Sequence, residues 1–128
     1  AQGIGNVTFS PLAHGMLTGK YVPGRPAPKG TRASDPDQNA VIMGLYWTEE
    51  NKKAAQKLVR IARDLGVKAS QLALAWCLKH PAVTSVILGC RRVEQLRENL
   101  AAVDLDIPAE VMAKLDKLFP LPPGPATA

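Results

Sequence analysis

Apolar positions along the chain change period several times, and each change marks an element. Ile4, Val7, Thr8 and Phe9 lead into Pro11 and predict a short strand over 4–10 that runs into a loop, with Asn6 its one odd residue. From 15 to 47 neither a period of 3.6 nor one of 2 is sustained, while Gly15, Gly19, Gly24, Gly30 and Gly44 recur, so this is one long loop with at most short helical turns. Thr48 reads as an N-cap followed by Glu49 and Glu50. Ala54, Leu58, Ile61, Ala62 and Leu65 then keep helical spacing up to Gly66, with Lys52, Lys53, Lys57, Arg60 and Arg63 on the remaining faces. A second helix over 69–79 is apolar nearly all round, which requires burial on most sides, and it stops at His80-Pro81. The β-branched run 83–88 ends at Gly89 and predicts a strand buried on both faces. A third helix over 93–103 turns Val93, Leu96 and Leu100 inward. Pro108 suits the first position of a last helix carrying Val111, Met112, Leu115, Leu118 and Phe119.

The expected class is therefore α/β, with two parallel strands, flanking helices and a long loop. Two strands separated by helices imply a right-handed crossover, but a pair leaves two open edges, so the segment reads as part of a larger sheet. The missing initiator Met agrees with a fragment. Self-association or a complementing part of the sheet would cover the open edges.

Composition narrows the class further. The 128 residues are 46% hydrophobic and 21% charged, the balance of a globular domain. Prolines cluster in the long loop and again over 120–128, which reads as a Pro-rich tail to a domain over 1–119. No apolar run approaches the ~18 residues of a membrane span, and no basic leader opens the chain, so the expectation is a cytoplasmic protein with no membrane partner. Cys77 and Cys90 lack a C-x-x-C pattern and read as reduced, buried thiols. His14 and His80 have no ligand at metal spacing, so no metal is expected. A net charge of +5 draws anions without identifying nucleic acid. The helix pair 58–76 resembles a helix-turn-helix in outline, yet residues 72–78 offer no polar side chain to read bases, so no nucleic-acid partner is expected.

Candidate chemistry gathers behind the two strands, where parallel α/β folds place ligands. Gly15 and Gly19 allow close backbone approach, Ser10 and Thr18 carry hydroxyls and Lys20 a point charge, a set suited to a phosphate-bearing ligand. An ordinary Gly-containing turn accounts for the same residues. After the second strand, Gly89-Cys90-Arg91 opens a helix whose N-terminus favours anions, and Arg91, Gln95, Glu98 and Asn99 share one helix face. From the residues alone, a merely solvated polar face is the favoured account of them.

At these motifs the chain resembles the aldo-keto reductase superfamily, in particular the bacterial reductases related to voltage-gated potassium channel beta subunits. The residues that carry the resemblance are the run from Phe9 to Tyr21, the helix Leu72-Ala73-Leu74-Ala75-Trp76-Cys77-Leu78, and the run from Gly89 to Asn99. The resemblance implies the C-terminal portion of a (β/α)8 TIM barrel that binds NADP(H) along its rim and exchanges hydride with an aldehyde or ketone, so that the complete protein takes a small carbonyl substrate. It implies that Phe9 packs on the nicotinamide and that Ser10, Pro11, Leu12 and Gly15 line the pyrophosphate path. Thr18 and Lys20 would face phosphate oxygens, and Arg32 would clamp the cofactor from the long loop. Gly89, Arg91 and Gln95 would hold the 2'-phosphate end, with Glu98 and Asn99 on the adenine. Asn6 departs from the family's apolar strand position, and Arg91 stands where some relatives have Ser. The family's catalytic Tyr, Lys, Asp and His come from the first half of the barrel. Neither Tyr21 nor Tyr46 matches that acid, so no catalytic residue is assigned here and the chain alone is expected to be inactive. A non-catalytic NADP-binding or channel-beta-like regulatory subunit is the alternative.

Overall fold

The computed structural model describes residues 3–120; the predicted tail lies, apart from Pro120, outside the described residues. Strand β1 (Asn6–Phe9) and strand β2 (Val83–Ile87) pair in parallel, with Thr8 opposite Val86 and Phe9 opposite Ile87. The register slips between Asn6 and Val7, where the Asn6 amide reaches out of the ladder and donates to the Ala82 carbonyl at 3.0 Å. That bond explains the polar residue: it ties the start of β1 to the turn before β2.

Four α-helices follow the predicted order: α1 (Glu49–Asp64), α2 (Ala69–Lys79), α3 (Val93–Leu100) and α4 (Ala109–Leu118). The Thr48 hydroxyl caps α1 by accepting from the Asn51 amide, as its residue type suggests. Leu72, Ala73, Leu74 and Ala75 of α2 are buried against Leu58 and Ala62 of α1 and Val111 and Leu115 of α4, forming the main core. The Trp76 indole pins α2 to α4 by donating to Asp116 at 2.8 Å. Pro108 caps α4 from just outside it.

Several expectations are corrected. β2 is covered on one face only: Val86 turns toward the helices, while Ile87 lies with Val7 and Phe9 on an open face. The apolar run that suggested two buried faces gives one here, because the described sheet has two strands and none of the described residues covers its other side. Helix α3 ends at Leu100, and its apolar residues Val93 (59% exposed), Leu96 and Leu100 face outward; its polar face packs inward instead. Cys77 and Cys90 are free but only half-buried. Burial still pushes the Cys77 thiol pKa up. Lys52, expected on an outer face of α1, is 3% exposed, its stem buried and its ammonium 4.0 Å from the Trp47 ring centroid.

The long loop is more ordered than its lack of period suggests. It forms a kinked 3-10 segment (Ala13–Thr18), a 3-10 turn (Arg32–Ser34) and a π turn (Ile42–Tyr46). Met16, Tyr21, Ala33 and Ile42 join Ala55 of α1 in a second buried cluster. The Gln56 amide fastens the loop to α1, donating to the carbonyls of Gly19 and Tyr21 at 2.8 and 3.2 Å.

Candidate functional site

The turn that leaves β1 is wound tightly. Ser10, Ala13 and His14 all have positive φ, at 52°, 47° and 55°, followed by Gly15 at 95°. Three side-chain-bearing residues in that region store backbone strain, each left-handed residue costing roughly 1–2 kcal/mol, and such strain concentrates where a backbone must present its groups to a ligand. The φ of Gly15 is what calls for glycine; the Lys20 ammonium folds over its bare backbone, but as the end of a flexible side chain it could swing aside for a Cβ. The Thr18 hydroxyl closes the turn by donating to the Gly15 carbonyl at 2.8 Å.

This turn forms one wall of an open cleft of about 1280 Å³ at the carboxyl ends of both strands. Phe9, Ser10, Pro11, Leu12, Gly15, Thr18, Lys20 and Arg32 line it on the β1 side; Gly89, Arg91, Gln95, Glu98 and Asn99 line it on the β2 side. The structure thus brings the residues assigned to the cofactor to one surface, whereas Gly19, expected to allow close ligand approach, lies outside the lining and packs against Val59 of α1. Phe9 lines it and is 80% exposed. Gln95 turns back to accept from the Arg91 backbone amide at 3.0 Å. Glu98 is engaged by Lys68 in an ion pair, and the Asn99 amide lies 3.6 Å from Cys90 Sγ.

Three cations define the cleft's electrostatics, and their partners are informative. Arg32 donates through Nη1 to His14 Nδ1 at 2.8 Å, and Arg91 donates through Nη2 to the Gln38 amide oxygen at 3.1 Å. Lys20 lies 5.2 Å from the Tyr21 ring centroid. None of the ion pairs among the described residues involves Lys20, Arg32 or Arg91. Neutral acceptors hold the guanidinium groups in place without cancelling their charge, an arrangement that fits a ligand with several phosphates.

Sequence reading missed His14 and Gln38, whose roles depend on the path of the long loop, and also Arg63, Lys68 and Arg92, which add positive charge to the rim. Lys20 and Arg32 are expected at the cleft from the sequence; the residues that hold its cations in position are not. Among the described residues no group of His, Cys, Asp and Glu could hold a metal, and no helix is long and apolar enough to cross a membrane.

Comparison with known proteins bears on the same stretches. The profile of the Aldo/keto reductase family matches residues 1–119. The chain is 41% identical over 124 residues to a probable voltage-gated potassium channel subunit beta of Arabidopsis thaliana, an alignment covering 91% of this chain and 35% of that protein. It is 33% identical over 122 residues to the uncharacterized oxidoreductase YrpG of Bacillus subtilis, covering 95% of this chain and 34% of the relative. It is 37% identical over 120 residues to the L-glyceraldehyde 3-phosphate reductase of Escherichia coli, covering 91% and 34%. The chain therefore spans about a third of the length of the curated relatives it matches.

Proposed function

This chain belongs to the aldo/keto reductase family of oxidoreductases, and from that premise we propose that it supplies the NADP(H)-binding part of an enzyme that exchanges hydride with an aldehyde or ketone. The observation that carries the reading is the single cleft in which Lys20, Arg32 and Arg91 present charge that no carboxylate among the described residues takes up. NADPH in that cleft supplies the hydride; the chain's own residues bind and orient it. Ser10, Pro11, Leu12 and Gly15 would lie along the pyrophosphate, with Thr18, Lys20 and Arg32 toward its oxygens. Arg91, with Gly89 and Gln95, would take the 2'-phosphate, and Glu98 and Asn99 the adenine. Phe9, exposed at the cleft, would offer its ring for the nicotinamide to pack on.

The two parallel strands and their helices are consistent with the C-terminal portion of a (β/α)8 barrel. In that frame the open, apolar sheet face, with Val7, Phe9 and Ile87, is the face that further strands would cover. The proton that must accompany hydride onto a carbonyl oxygen has no donor assigned in this chain, so turnover belongs to the complete barrel.

The similarity to a channel beta subunit favours a second reading, in which the same cleft binds NADP(H) in a regulatory subunit with little turnover. Incubating the complete protein carrying this sequence with NADPH and a panel of simple aldehydes separates the two. Loss of nicotinamide absorbance that depends on aldehyde supports the reductase; tight NADPH binding without it supports the regulatory subunit.

A further inference from the structure

His14 is half-buried at the cleft wall and engaged at both ring nitrogens. Its Nε2 lies 3.2 Å from the Ser10 hydroxyl, its Nδ1 2.8 Å from Arg32 Nη1, and its ring stacks on Tyr46 with centroids 5.7 Å apart. A guanidinium can only donate, so Nδ1 must be the acceptor and carry no proton. The remaining ring proton is on Nε2 and is donated to Ser10. The contact with Arg32 therefore exists only while His14 is neutral.

We propose that His14 is a positioning residue that holds the Arg32 guanidinium at the cleft, and that protonation of His14 releases Arg32 and weakens NADPH binding. The proposal rests on the cofactor assignment made above. Arg32 sits on a three-residue 3-10 turn within the long loop, so little besides this bond fixes its side chain. A proton added to Nδ1 would lie between the ring and the guanidinium, not toward the cleft, and two cations at that separation repel.

The charged and titratable surroundings support one direction. Arg32 faces His14 from the loop, Tyr46 from the π turn, and on its own turn Lys20 packs over the neighbouring Gly15. No carboxylate is paired with His14 or Arg32 among the described residues. Burial, followed by the charge of Arg32, lowers the His14 pKa below its usual 6.5, so the neutral, Arg32-holding form prevails at neutral pH. As pH falls the contact is lost.

Two substitutions divide the ring's bonds. His14→Asn places an amide oxygen where Nδ1 stands, keeps the acceptor for Arg32, cannot titrate and tolerates the positive φ. His14→Gln reaches instead toward Ser10 and leaves Arg32 without its acceptor. NADPH titrations of the complete protein between about pH 8 and pH 5.5 should show wild-type affinity falling severalfold more than that of His14→Asn, by less than about tenfold because His14 titrates below 6.5, a ratio in which titration of the 2'-phosphate cancels. His14→Gln should already bind roughly tenfold more weakly at the upper pH. Parallel pH profiles for wild type and His14→Asn, or wild-type affinity in His14→Gln, overturn the proposal. Nitrogen NMR of the ligand-free protein keeps the two readings distinguishable. If NADPH fails to bind wild type at any pH, the cofactor assignment falls, and the positioning claim stands or falls on whether the Arg32 guanidinium signals follow His14 ionisation in wild type and stay fixed in His14→Asn.

Discussion

Arg91 and Gln38, 53 positions apart in sequence, meet through a hydrogen bond of 3.1 Å from the guanidinium to the amide oxygen. The bond joins the long loop to the segment after β2, so the two walls of the cleft are linked by a neutral partner that leaves the cation's charge intact. Gln38→Ala should leave Arg91 charged but unguided. NADPH affinity is expected to drop by about three- to tenfold, the equivalent of one hydrogen bond, and fluorescence titration of the variant checks it.

Gly19 brings the loop against α1. Its φ is 79°, and a Cβ there would collide with Val59 Cγ2. Gly19→Ala combines an unfavourable backbone with a steric clash and should destabilise by about 2–4 kcal/mol. Chemical denaturation would register this as a lower midpoint with little change in slope.

Lys52 anchors the other end of the loop, between the Trp47 ring and the Glu49 carboxylate at 2.9 Å. The Lys52 hydrogen bond, then the Gly24 amide, hold the Glu49 pKa below its ordinary value near 4.5. A carboxylate with a depressed folded pKa contributes stability that is present above the unfolded value and lost as pH falls through the folded one. Lys52→Met keeps the buried stem and removes the charge. It should lower stability at neutral pH and flatten the acid limb of a stability-against-pH curve below about pH 4.5.

Thr8 carries a buried hydroxyl with no hydrogen-bond partner on the helix-facing side of β1. Thr8→Val replaces it with a methyl of the same shape and a better strand former. A gain of about 1 kcal/mol in thermal or denaturant unfolding is expected.

Much of this architecture is legible in the sequence, and the limits have physical causes. Thr48 and its two glutamates announce α1, and the nearly all-apolar α2 announces a core helix, because caps and periodicity are local signals. The cleft residues are legible from their position behind two strands and from their resemblance to one family. The loop's second core is not legible, since Met16, Tyr21, Ala33 and Ile42 are too far apart to form a period and meet only through tertiary packing. His14 and Gln38 escape for the same reason: each works through an arginine from a distant stretch of chain. The outward apolar face of α3 escapes because periodicity reveals that a stripe exists and not which neighbour receives it.

The central claim is that this cleft binds NADP(H), with Arg91 at the 2'-phosphate. Calorimetric titration of the complete protein with NADPH and with NADH, for wild type and Arg91→Ala, tests it most directly. The account predicts saturable NADPH binding that weakens about ten- to a hundredfold in Arg91→Ala, with NADH binding nearly unchanged by the substitution. Equal losses for both dinucleotides, or NADPH binding indifferent to Arg91, would contradict it.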